Sequence, residues 1–203
     1  MNKNFYASLA PLLLAACGNN TESSQTANAD NNTGAGESGN VMQTDGSGQS
    51  TATNAVSGEA TPTSAVGYAT KAAASDLFEI ESSKAVLAST TDAGTKKFAQ
   101  MMLEHHTQST AKIMAAAKAT KLTLTPARLE PMQQQMLNEI KSADAAGVDR
   151  VYIKHQATAH QAALALHQGY ARNGDTDAFK KAAGEITPVV QKHIAELDKM
   201  ASM

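Results

Sequence analysis

Three histidines, His106, His160 and His193, each fall inside an apolar repeat with helical spacing. The first repeat reads Phe98, Met102, His106, Ser109, Ile113. The second reads Ile153, Gln156, His160, Ala163, Leu164, and the third Phe179, Ala182, Ile186, Val189, His193, Leu197. Steps of three and four residues put each set on one helix face. An imidazole on a core-facing stripe is costly unless it is partnered. Three of them, on helices that must pack together, predict a shared polar centre inside a bundle. Imidazole nitrogens with a carboxylate would suit a transition-metal ion, with iron, zinc, manganese and copper as the candidates. Glu79 is the expected carboxylate. Gln156, one turn before His160, is expected to orient a ligand from outside the centre.

A second reading uses the same residues. Tyr152, Gln156, Ser109, a carboxylate and buried water can satisfy three core histidines in a polar network that only sets helix register. The methionines Met101, Met102, Met114, Met132, Met136 and Met200 invite a Cu(I) interpretation, yet methionine at helical spacing is ordinarily core filler. His105, His155 and His167 are expected to be satellites of the centre, with His155 turned well away from the His160 face.

The elements that must position these residues are helices. Helix formers dominate, and no segment alternates as a strand would. The first helix is expected over about 64–89, with Ala69, Ala73, Leu77, Ile80 and Leu87 as its face. Thr91-Asp92 cap a second that ends near Lys121. A loop over 122–125 leads to a short helix starting at Pro126 and ending near Ala143. Ala145-Ala146-Gly147 breaks the chain before a long helix to Arg172. Asn173-Gly174-Asp175 precedes the last, from about Thr176 to Ala201, with Pro188 inside it as a kink. The expectation is an all-α, four-helix bundle over 65–203 with one extra short helix.

Ahead of the bundle the composition changes. Lys3, an apolar run over 5–16 and Leu14-Ala15-Ala16-Cys17 have the proportions of a signal peptide, the run being shorter than the roughly 20 residues that span a bilayer. Leu-Ala-Ala-Cys resembles a bacterial lipobox, whose cysteine is acylated and becomes the new N-terminus after residues 1–16 are removed. Gly18 in place of aspartate points by the lipoprotein rule to the outer membrane. The chain is therefore expected on the periplasmic side, held to the membrane by lipid on Cys17. Cys17 is the one cysteine, so no disulfide is expected. Residues 17–64 are polar and small, with five acids (Glu22, Asp30, Glu37, Asp45, Glu59) and no lysine or arginine. They read as a disordered tether. The domain that follows has no basic patch interleaved with aromatics, so no nucleic-acid partner is expected. It is expected to be a monomer or a homodimer.

Four segments carry a family resemblance. Lys97-Phe98-Ala99-Gln100-Met101-Met102-Leu103-Glu104-His105-His106-Thr107 resembles the K-x-F-A-x-x-M-x-x-D-H-T segment of the bacterial exported family called domain of unknown function 4142. Asp149-Arg150-Val151-Tyr152 with Gln156 and His160 is similar to its D-x-x-Y-x-x-x-Q-x-x-x-H segment. Thr187-Pro188 through His193 is similar to its L-P-x-x-x-x-H close, and Glu79-Ile80-Glu81 to its E-V-E. The resemblance covers about 66–201 and implies a ferritin-like bundle of unestablished activity. Two positions depart from it: His105 stands at the usual aspartate and His167 at the usual phenylalanine. Ferritin-like di-metal centres use paired Glu-x-x-His motifs. No core-facing Glu-x-x-His occurs here, which argues for binding over redox catalysis. The functional expectation is a lipoprotein whose core histidines and Glu79 hold a transition metal for envelope metal handling or oxidative-stress protection, with Glu81, His105, Tyr152, Gln156 and His167 in accessory positions. The alternative is a non-enzymatic structural or interaction module.

Overall fold

The computed structural model describes residues 61–202. The expected signal peptide, Cys17 and nearly all of the tether lie outside the described residues. Five helices follow one another: α1 (Ala65–Leu87), α2 (Ala93–Thr120), α3 (Pro131–Ser142), α4 (Val148–Asn173) and α5 (Asp177–Ala201). No strand occurs among the described residues, so the fold is all-α as expected.

Start and stop signals act locally. Ser64 caps α1 by accepting from the Gly67 N–H, and Asp92 caps α2 by accepting from Thr95 N–H at 2.7 Å. Helix α2 ends on Lys121 in the left-handed region (φ 55°), which turns the chain out of the helix. The short helix begins at Pro131, five residues after the expected Pro126. Glu130 precedes that proline and is held extended (φ −66°, ψ 155°), so no helix can run through it. Residues 126–129 are then too few to nucleate a helix of their own. Glu130 and Gln133 form the capping box that Thr125 cannot.

Two apolar clusters fill the bundle. One gathers Tyr68, Ala69 and Ala72 with Ile113, Ala163, Tyr170, Phe179 and Ile186. The other gathers Phe78 and Val86 with Phe98, Met102, Ile140, Tyr152 and Leu197. Cluster membership gives each helix its direction. Helices α1 and α5 run from the first cluster to the second, and α2 and α4 run the other way. The segment after α2 must therefore travel back along the bundle, carrying α3, before α4 begins. One long crossover between two antiparallel pairs is the ferritin-like arrangement. Pairs α1–α2 and α4–α5 pack most extensively, α2–α5 and α1–α4 complete the ring, and α3 lies against α1 and α4.

The buried face of α1 differs from the expected one. Ala73, Leu77, Ile80 and Leu87 are only half-buried, whereas Tyr68, Ser75, Asp76, Phe78, Glu79, Ser82, Ser83 and Val86 are buried. The face is rotated by about one residue because α1 turns a polar stripe into the bundle. Pro188 leaves α5 unbroken, and its ring is exposed. Residues just before α1 also pack on the bundle. Thr63 C=O accepts from Asp175 N–H at 3.0 Å, and Thr61 lies so close to Gly169 that any side chain there would collide with it.

Candidate metal centre

The polar residues lie between the two apolar clusters on every long helix. Asp76 and Glu79 come from α1, His106 from α2, Gln156 and His160 from α4, and His193 from α5. His106, His160 and His193 are 4%, 0% and 1% exposed, and one ring nitrogen of each lies within 4.8 Å of the others. The centre is therefore buried and shared by three helices.

Hydrogen bonds decide which nitrogen of each ring faces inward. The backbone C=O of Gln156 can only accept, so His160 Nδ1 carries the proton it donates there at 2.9 Å. His160 Nε2 is left with its lone pair and accepts from His193 Nδ1 at 3.1 Å. His193 Nε2 then has a lone pair of its own and accepts from His105 Nδ1 at 2.7 Å. A single carbonyl thus sets the tautomers of three imidazoles in a row. On α2, His106 Nδ1 donates to Asp76 Oδ1 at 2.9 Å, and Thr110 Oγ1 donates to Asp76 Oδ2 at 3.0 Å. The remaining His106 nitrogen, Nε2, is buried without a partner.

Electrostatics keep the inner rings neutral. Burial, reinforced by the charge on His106, pushes His160 down to about 3. Burial and the neighbouring imidazoles push His193 down to about 2. Burial alone would also lower His106, but the Asp76 hydrogen bond and the charges of Glu79 and Asp76 outweigh it and leave the pKa above its ordinary value. Glu79 is fully buried, and burial raises its carboxyl to about 7, against the partial offset of His106 and of the Gln156 amide beside it. That amide donates to Ser82 Oγ at 3.0 Å, and neither oxygen of Glu79 makes a hydrogen bond.

The other expected residues take separate places. Glu79 Oε1 stands 3.6 Å from His160 Nδ1, on the outward edge of that ring, and does not join the three-nitrogen group. Glu81 sits at the surface, paired with Lys84 at 2.9 Å. Tyr152 is buried but bonds Ser83 Oγ at 2.8 Å. His167 is buried against Tyr68, whose hydroxyl is 2.9 Å from its Nδ1. His155 is turned from the centre as expected, yet it is buried by α3, where its Nε2 meets Glu139 Oε2 at 2.8 Å. Met102 and Met136 are core residues, while Met114 and Met132 are exposed. Apolar spacing along α1 does not reveal Asp76, because it lies on the polar side of the face marked by the apolar residues. The Asp76-x-x-Glu79 spacing, two carboxylates on one face of α1, was the available signal.

His105 connects the centre to the surface. Its half-buried ring stacks on His193 with centroids 5.1 Å apart and lines a shallow groove with Gln108, Ser109, Lys112, Ile186 and Val189. Ser109 Oγ is buried in the wall of this groove without a partner.

A metal held by two nitrogens at 2.0–2.1 Å in tetrahedral geometry separates them by about 3.3 Å. His160 Nε2 and His193 Nδ1 already stand at 3.1 Å. Closing the third vertex needs a shift of His106 on the order of 1 Å, and its free Nε2 has no other bond to give up.

No curated protein and no solved structure matches the chain significantly. Residues 49–200 match the family described as Domain of unknown function (DUF4142), with the histidine centre inside the matched region, and the chain belongs to that family.

Proposed function

We propose that this protein binds one transition-metal ion through His106, His160 and His193, and does so as a lipoprotein anchored at Cys17 to the periplasmic face of the outer membrane. The observation that carries the metal reading is the outward partner of each ring. A carboxylate holds His106, a backbone carbonyl holds His160, and a second imidazole holds His193. Partners of this kind on the far nitrogen are what orient metal-ligating histidines. Three nitrogen donors favour zinc, copper, iron or nickel over manganese, which prefers oxygen. Such an ion would supply Lewis acidity or electron transfer; the role supported by this donor set is binding for metal handling or oxidative-stress protection in the envelope.

Ligation by His193 reverses one hydrogen bond. With an ion bound, the His193 Nδ1 proton would leave to solvent, the His105 Nδ1 proton would pass to His193 Nε2, and His105 would take a proton from water at its own Nε2, so that its Nδ1 becomes the acceptor. His105 can make this exchange because its ring is partly open to water. The anchor is supported by Leu14-Ala15-Ala16-Cys17 and the polar stretch after it.

The direct bond between His160 and His193 favours a second reading, in which the network only fixes helix register. Elemental analysis separates the two. Protein taken from its native envelope without chelator or nickel resin should carry close to one equivalent of a transition metal per chain. Metal-free protein with unchanged stability on metal addition would leave the structural network.

A further inference from the structure

Two carboxylates are buried beside the three imidazoles, and neither is among the donor atoms that meet there. Asp76 is 2% exposed and Glu79 0%. Asp76 holds the imidazole of His106, and Glu79 stands 3.6 Å from the outward edge of the neutral His160 ring. Both oxygens of Glu79 are without a hydrogen bond although a glutamine amide lies beside them. An ionised carboxylate in that position is unfavourable for the bundle alone. It becomes favourable when positive charge enters the centre from which it is one imidazole away.

Resting on the metal reading above, we propose that Asp76 and Glu79 are the specificity-determining residues of the centre: together they balance a divalent cation, so that the site takes a 2+ ion in preference to a 1+ ion of similar affinity for imidazole. Three neutral imidazoles bring no charge. Two carboxylates match a divalent ion and over-compensate a monovalent one. The preference comes from Coulomb attraction at a distance and needs no bond between Glu79 and the metal.

Coulomb attraction scales with the charge of the ion, which makes the test quantitative. Removing one carboxylate charge should reduce divalent affinity by the square of the factor it takes from monovalent affinity. The full chain carrying Cys17→Ser, which removes the one thiol, is compared with the same chain carrying Glu79→Gln at pH 8. Co(II) affinity is read from its visible spectrum, and Ag(I) affinity from displacement of Co(II), with free ions fixed by a chelator. A loss of about tenfold for Ag(I) should accompany one of about a hundredfold for Co(II), with the Co(II) spectrum unchanged. The metal-free Glu79→Gln protein should melt higher than its parent, because a buried uncompensated charge is gone. Equal losses for the two ions, or a Co(II) spectrum altered by the substitution, would overturn the charge assignment while leaving the metal reading intact. Failure of the parent chain to bind either ion would overturn both.

Discussion

His106 Nδ1 donates to Asp76 Oδ1 at 2.9 Å across the α1–α2 interface, and Thr110, one turn further along α2, fills the other oxygen at 3.0 Å. The pair fixes His106 so that its second nitrogen faces His160 and His193. It also ties the two helices together at the layer between the apolar clusters.

Asp76→Ala should therefore act on both stability and binding. The buried His106 N–H and the half-buried Thr110 hydroxyl lose their acceptor, which should cost about 3 kcal/mol in urea unfolding of the metal-free protein. Loss of the carboxylate behind a ligating histidine should lower metal affinity by roughly 10- to 100-fold. An unfolding free energy within 0.5 kcal/mol of wild type, by the roughly ±0.5 kcal/mol expected of neutral surface changes, would contradict the assignment.

His105→Ala removes the partner that lets His193 change tautomer. The expected result is about a tenfold weaker affinity with a stability loss near 1 kcal/mol. Because the ring lies at the surface edge of the chain of imidazoles, calorimetric titration and thermal melting should separate the two effects. Unaltered affinity would remove His105 from the account.

The pH dependence of stability has a defined sign. His160, His193 and His167 (the last lowered to about 4, chiefly by burial) titrate lower in the folded chain than their ordinary 6.5. The unfolded chain therefore binds protons that the folded chain refuses, and stability falls as pH drops below 6.5. Glu79 acts in the opposite sense between about 7 and 4.5, since its folded pKa is raised. His106, raised as well, contributes stability below 6.5 that is lost as pH rises through its folded value. Three imidazoles against one carboxyl leave a net uptake of about two protons on unfolding, or roughly 2.7 kcal/mol per pH unit at the steepest. Denaturant midpoints that stay flat from pH 6.5 to 4.5 would refute this balance.

Much of this arrangement was legible in the sequence, and the reason is periodicity. On α2, α4 and α5 the histidines interrupt stripes of Phe98, Met102, Ile113, Ala163, Phe179, Ile186 and Leu197, so their common inward direction follows from helix geometry. The carboxylate layer was harder to see. Helix α1 buries Ser75, Asp76, Glu79, Ser82 and Ser83, and a search for apolar repeats places its face on Leu77 and Ile80 instead. The start of α3 is ambiguous in the sequence because Thr125-Pro126 and Glu130-Pro131 both signal a helix start, and only the second has a residue, Gln133, that completes the cap. The burial of His155 depended on where α3 lies, which spacing within α4 cannot reveal.

Residues 18–48 precede both the family match and the described contacts of Thr61 and Thr63. Deleting them should leave the melting temperature of the domain within a degree or two, because a chain that buries little surface contributes little stability. Cys17→Ala should release the protein from the membrane fraction with its bundle still folded. Retention of that variant on membranes after a high-salt wash would dispose of the lipid anchor.

X-ray absorption on the zinc-loaded protein tests most directly whether the three imidazoles meet at one ion. The loaded protein should hold one zinc per chain, with three imidazole nitrogens at about 2.0–2.1 Å completed by one light-atom ligand. Each of His106→Ala, His160→Ala and His193→Ala should lose that signal. A spectrum with fewer than two imidazoles, or one unchanged in all three variants, would place any bound metal elsewhere and leave the histidines as a structural network.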